Sequence, residues 1–183
     1  MQSIRRFHGL TFVELISTLA ISGVILSVAV PSFQNFTSKQ RIVSDSWAVR
    51  EALNFARGKA VSTGSDITAC LVDATGDCVN TNASRFVVFD DLNTNRALDS
   101  GEPVYMERAF DNSVLSVRPS NRPYIRFARD GHIKDNGNIQ LCLKNGYPYG
   151  RQIIFFYSGR IRSAKDANSD GFFEDAQGRP IKC

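Results

Sequence analysis

The sequence predicts an α+β fold, one long N-terminal helix followed by an antiparallel β-rich head, and three observations lead to it. Residues 10–30 form an almost unbroken apolar stretch, LTFVELISTLAISGVILSVAV. Beyond Pro31, apolar residues keep recurring at helical spacing to about Ser62. From Ile67 onward the text changes to short runs rich in Val, Ile, Phe and Tyr, broken by Gly, Asn, Asp and Pro. Long helical periodicity followed by β-branched and aromatic runs between turn residues separates a helical region from a β region.

The first stretch is long enough to cross a bilayer as a helix, which takes about 20 residues. Arg5 and Arg6 precede it, so the positive-inside rule puts that end in the cytoplasm. A secretory signal peptide would have a shorter apolar run with a small-residue cleavage site on its far side. Pro31, Phe33 and Phe36 follow here instead, and the run is expected to be kept. Glu14 is the anomaly. An ionisable side chain in a membrane helix is costly and marks function by default. Were the chain cut just before Leu10, the new α-amino group would lie about one helical turn away, and a neighbouring subunit's amine could neutralise this carboxylate. The plainer alternative is a carboxyl close enough to the interface to stay wet.

After Pro31, the residues Ile42, Val43, Trp47, Leu53, Ala56 and Ala60 form an amphipathic stripe suited to packing against a head. Thr63-Gly64-Ser65-Asp66 ends the helix. Strands are expected near Ile67–Val72, Arg85–Phe89, Val104–Arg108, Val114–Arg118, Tyr124–Ala128, Ile139–Leu143, Gln152–Tyr157 and Arg160–Arg162. Asp130-Gly131, Asn136-Gly137, Asn145-Gly146 and Ser158-Gly159 suit tight antiparallel connections.

Composition narrows the function. A net charge of +4, half of it supplied by Arg5 and Arg6, is too small to argue for a polyanionic partner by itself. The four cysteines, Cys70, Cys78, Cys142 and Cys183, include no C-x-x-C pair, and neither histidine shares a motif with them. That spacing speaks against zinc and for two disulfides made outside the cytoplasm. Three connectivities are possible. Proximity in the chain favours Cys70 with Cys78 and Cys142 with Cys183. No Gly-rich phosphate loop, H-E-x-x-H motif or nucleophile elbow is present, so no enzyme and no cofactor are expected.

Gly9-Leu10-Thr11-Phe12-Val13-Glu14, the apolar run after it and Pro31 resemble the N-terminal signal of type IV prepilins and type II secretion pseudopilins. The resemblance implies a type IV pilin-like fold and cleavage between Gly9 and Leu10 by a prepilin peptidase. It also implies N-methylation of Leu10 and a filament-assembly role for Glu14. It divides the chain into a leader (1–9), a transmembrane and filament-core segment (10–30), its amphipathic continuation (31–63) and a β-rich head with a C-terminal tail (64–183). The head resembles the GspH/FimT family. The likeness lies in Leu53-Asn54-Phe55-Ala56-Arg57-Gly58-Lys59-Ala60-Val61, in Val88-Phe89-Asp90-Asp91 and the Asn-rich turn to Gly101-Glu102-Pro103, and in Gly159-Arg160-Ile161-Arg162. The long tail from Ser163 and Gly58, where a Ser is frequent, depart from the pattern.

Gly159-Arg160-Ile161-Arg162 is the sharpest functional candidate. On a strand, Arg160 and Arg162 would share a face about 7 Å apart and could each hold a phosphate oxygen. Lys165, Arg151, Arg179 and Lys182 would widen the patch if the tail folds back. Resemblance to the FimT-like minor pilins implies double-stranded DNA binding at this motif, in natural transformation. The alternatives are arginines paired with Asp166, Asp170 or Glu174, and a structural minor pilin or type II secretion pseudopilin that primes assembly without DNA. The resemblance further implies other pilin subunits as partners, the inner membrane as the precursor's site with a cytoplasmic N-terminus, and a periplasmic or extracellular filament afterwards.

Two Asp/Asn-rich turns invite a calcium reading without settling it. Asp91 to Glu102 places oxygens at positions 1, 3, 5, 9 and 12 of an EF-hand-like loop but has Arg96 where the turn needs Gly. Asp166-Ala167-Asn168-Ser169-Asp170-Gly171 has the Gly, with Gln177 in place of the position-12 carboxylate. Such turns are common without metal, and no metal ligand is assigned.

Overall fold

The structure, a computed structural model, describes residues 11–183 except 74, 76, 82, 84, 96, 111, 112, 119–121, 135, 145–147 and 176, and not the side chains of 114, 117 and 118. Gly9, Leu10 and the Asn145-Gly146 turn lie outside the described residues. The chain divides into two compact units, Met1–Thr37 and Ser38–Cys183.

Helix α1 spans Phe12–Thr63, with Pro31 inside it. Thr11 opens it with a capping box: Glu14 N–H donates to Thr11 Oγ1 at 3.3 Å, and Glu14 Oε2 accepts from Thr11 N–H at 3.5 Å. Within the first unit the large apolar side chains are exposed, among them Phe12, Leu19, Val24, Leu26 and Phe33. The hydroxyls of Ser17, Ser22 and Ser27 donate back to carbonyls of the same helix, so these polar groups need no water. The helix is long and apolar enough to cross a membrane.

In the second unit α1 buries one seam: Ser38, Ile42, Ser46, Val49, Leu53, Ala56 and Ala60. Trp47, expected in the stripe, is 58% exposed, with the Arg50 guanidinium 5.3 Å from its ring. The buried position is its neighbour Ser46, about 100° round the helix. Ser46 hides its polarity by donating its hydroxyl to the Val43 carbonyl at 2.7 Å, which apolar periodicity alone does not reveal. Gly64, at φ +65°, ends the helix by donating its N–H to the Ala60 carbonyl.

Eight strands follow: β1 (Ile67–Val72), β2 (Arg85–Phe89), β3 (Val104–Ala109), β4 (Ser113–Arg118), β5 (Tyr124–Phe127), β6 (Gly137–Leu143), β7 (Arg151–Phe155) and β8 (Ile161–Ser163). They form two four-stranded antiparallel sheets, ordered β3-β2-β1-β5 and β4-β6-β7-β8. β1 is buried along its whole length, whereas β6 and β7 alternate. Leu53, Ala56 and Ala60 of the helix share one core with Phe86 and Phe127 of the first sheet and Leu115, Ile139 and Ile153 of the second. Phe89, Val87, Val72 and Cys70 form a smaller cluster.

Cys70 is bonded to Cys78, and Cys142 to Cys183. The second bond fastens the tail to β6. There Gly150 N–H donates to the Ile181 carbonyl and Cys183 N–H to that of Pro148. A link closing a loop of this kind typically contributes about 2–4 kcal/mol.

Candidate functional site

The hairpin joining β7 to β8 turns through Tyr157, Ser158 and Gly159. Gly159 N–H donates to the Phe156 carbonyl at 2.8 Å, and Phe156 N–H donates to that of Arg160 at 3.0 Å. Gly159 has φ +76°, and a Cβ on it would sit 2.0 Å from the Gly131 carbonyl oxygen. That oxygen accepts from Arg57 Nε of the helix at 3.1 Å. The glycine of the Gly-Arg-Ile-Arg run therefore serves the backbone: only a residue without Cβ lets this turn approach the Asp130-Gly131 turn.

Ile161 is 8% exposed and belongs to the core, so Arg160 and Arg162 on either side of it turn to the opposite face. Arg160 is exposed, while Arg162 is half-buried with its guanidinium 5.6 Å from the Phe156 ring. Lys165 is exposed. Among the described residues, none of these three cations forms an ion pair. Arg162 lines a groove of about 480 Å³ together with Asn138, Gln140, Gln152, Phe156, Asp175 and Gln177. A second hollow of about 320 Å³ joins Arg162 to Lys165, Glu174 and Asp175.

The tail does fold back, and of the four cations expected to widen the patch Lys165 and Lys182 stay exposed while Arg151 and Arg179 are engaged elsewhere. Arg151 is 9% exposed, with its guanidinium 3.8 Å from the Phe173 ring, and burial lowers its pKa from the ordinary arginine value. Arg179 is spent on Asp175, through Nε at 2.9 Å and an ion pair at 2.8 Å. Hydrogen bonds, first that from the Arg179 backbone N–H, lower the Asp175 carboxyl below the usual carboxylate range. Lys182 stays exposed, with its carbonyl accepting from Gln140 Nε2. The tail thus brings the Asp175 carboxylate to the groove along with its cations.

The two Asp/Asn-rich loops also differ. In the first, Asn93 and Asn95 donate their carboxamide N–H groups to Asp99 Oδ2, and the two oxygens of Glu102 accept from Leu92 and Asp99 N–H. That loop is closed by its own donors. In the second, Asp166, Asp170 and Glu174 converge. In the sequence Glu174 stands out only as a candidate partner of the arginines, not as a ligand of this loop. Its place four residues beyond Asp170 is the signal that would have found it. His132 is exposed, 3.2 Å from Asp130.

Residues 48–159 match the profile of a protein family described as type II transport protein GspH. The chain belongs to the GspH family. The matched interval ends at Gly159, just before Arg160, Arg162 and the tail. Among solved structures, the chain is similar to the type IV minor pilin FimU of Pseudomonas aeruginosa (strain PAO1), at 18% identity and TM-score 0.53 over 81% of this chain and 98% of that one. It is also similar to the minor pseudopilin EpsH from the type 2 secretion system of Vibrio cholerae, at 11% identity and TM-score 0.49 over 69% and 98%. No curated protein matches. The fold is that of type IV pilins, and the GspH-family chain is a minor pilin or pseudopilin, a filament subunit of type IV pili or type II secretion.

Proposed function

We propose that this GspH-family chain is a minor pilin that enters a type IV pilus and binds extracellular double-stranded DNA through Arg160, Arg162 and Lys165, contributing to DNA uptake in natural transformation. One observation carries the DNA reading. Ile161 points into the core and turns both arginines outward, and no carboxylate among the described residues pairs with them. The carboxylates that follow, Asp166, Asp170 and Glu174, gather on one another instead. Two guanidiniums on one face suit backbone phosphates, and the carboxamides of Asn138, Gln140 and Gln152 along the groove offer further polar contacts. Such binding is salt-dependent and nearly blind to sequence.

Membrane insertion of the precursor, cleavage between Gly9 and Leu10, N-methylation of Leu10 and assembly through Glu14 belong to the same reading. They are supported by an apolar helix whose side chains lie exposed from Phe12 to Phe36. The described partner of Glu14 is Thr11, at 3.5 Å, a contact weak enough to yield to a neighbouring subunit's amine.

The test is a titration of the full-length protein in detergent with duplex DNA at two salt concentrations, beside an Arg160→Gln, Arg162→Gln double variant. Binding should weaken with salt, and the double variant should lower the slope of log affinity against log salt by about two. The family's description as a type II transport protein favours a second reading, a structural minor pilin or pseudopilin that primes assembly. No wild-type binding at low salt would select it.

A further inference from the structure

We propose that Asp166, Asp170 and Glu174, with Asn168, form a calcium site in the C-terminal tail. The three carboxylates each bring an oxygen within 4.8 Å of the others. Three negative charges so close repel one another unless a cation or a proton intervenes. Among the described residues no lysine or arginine forms an ion pair with them. The Lys39 ammonium lies beside Gly171, 2.8 Å from where a Cβ would stand, without forming an ion pair with the three carboxylates.

A second observation is independent of the clustering. Glu174 is 6% exposed, and its Oε1 is buried with no hydrogen-bond partner; Asp166 Oδ1 is in the same condition. The partner oxygens are clamped by backbone. Glu174 Oε2 accepts from Ala167 N–H, and Asp166 Oδ2 from Gly171 N–H, each at 2.8 Å. Glu174 and Asp166 are thus each oriented through one oxygen while the other is left buried and unanswered, whereas the exposed Asp170 accepts from Asn168 Nδ2 and Phe172 N–H. Buried carboxylate oxygens without donors are the expected condition of metal ligands described without their ion.

The donor set selects the ion. It is all oxygen, with no sulfur and no imidazole, which suits a hard cation. Asp166, Asn168, Asp170 and Glu174 occupy positions 1, 3, 5 and 9 of a calcium loop, the Phe172 carbonyl falls at position 7, and Gly171 supplies the turn at φ +90°. Calcium accepts such a set in flexible geometry and completes it with water, whereas magnesium demands a tighter octahedron. Glu174 also bridges Pro180, and its N–H donates to the Lys165 carbonyl, so the ion would bind the tail to the end of β8. In the first Asp/Asn-rich loop amide donors answer Asp99 and Glu102, and among the described residues its carboxylates do not gather as those of the second do.

The test uses the full-length protein in detergent, stripped with a chelator and titrated calorimetrically with calcium chloride and, separately, magnesium chloride. Its thermal unfolding is followed in parallel by near-UV circular dichroism. One calcium should bind, with a dissociation constant in the range of about 10⁻⁴–10⁻³ M common for extracellular modules. At a hundredfold excess over that constant, Tm should rise by about 5–10 °C. Magnesium should do markedly less. Asp170→Asn, at an exposed position, and Glu174→Gln should each abolish the calcium-dependent rise. Because it relieves repulsion, Glu174→Gln should be no less stable than wild type in chelator. Asp99→Asn should leave calcium binding intact. No heat and no Tm change in the wild type, or loss of binding in Asp99→Asn with retention in Asp170→Asn, would overturn the proposal.

Discussion

The two parts of α1 obey different rules. From Ser38 to Thr63 the helix buries a narrow seam of mostly small residues and leaves the rest half-buried or exposed, Trp47 among the exposed. From Phe12 to Phe36 every side chain is exposed, although the residues are more apolar. Apolar surface of this extent does not stay in water. Its burial is supplied from outside the chain, by lipid or by other subunits. That exposure is what supports the proposed membrane and assembly role of the first part.

The comparison can be broken by substitution. The largest effect is expected from Leu53→Ala, which empties a fully buried position and should cost the head about 2–5 kcal/mol in denaturant unfolding. Ala56→Leu adds volume where the helix has none to spare, at about 1–3 kcal/mol. Leu19→Ala, at a position 64% exposed, should leave head stability within about 0.5 kcal/mol. A Leu19 effect as large as that of Leu53 would show that the first part is packed within its own chain after all.

The smallest effect concerns pH and the head alone. The Asp130 carboxyl is lowered from its usual value, first by the His132 backbone N–H, and the Asp175 carboxyl by that of Arg179. A lowered folded-state pKa contributes stability that is present above the unfolded value, 3.8, and is lost as pH falls through the folded one. The urea midpoint should therefore decline below about pH 4. Asp130→Asn should make that decline shallower; Asp130 is exposed, so the change should be slight.

Much of this architecture is legible in the sequence because it is local. All eight strands lie within two residues of where β-rich runs and turn residues place them, and α1 ends one residue from expectation. The division into two sheets is not local. β5 pairs with β1 and β4 with β6, across long stretches of chain, so strand propensity carries no trace of it. The helix seam was misjudged by one position because Ser46 reads as polar and Trp47 as apolar. At the candidate site, Arg160 and Arg162 follow from period-two alternation around Ile161. The fates of Arg151 under Phe173 and Arg179 on Asp175 depend on how the tail folds. The sequence offers Glu174 only as a partner for the arginines, since its burial is conferred by the tail.

The most direct test of the claim that the first part of α1 is a filament element is the N-terminus of the chain in the assembled state. Filaments sheared from cells should be separated from membranes and the subunit analysed by mass spectrometry, in wild type and in Glu14→Ala. The account predicts a filament-borne chain that begins at N-methylated Leu10, with Glu14→Ala processed but absent from filaments. A chain found only in membranes with Met1 intact would contradict it.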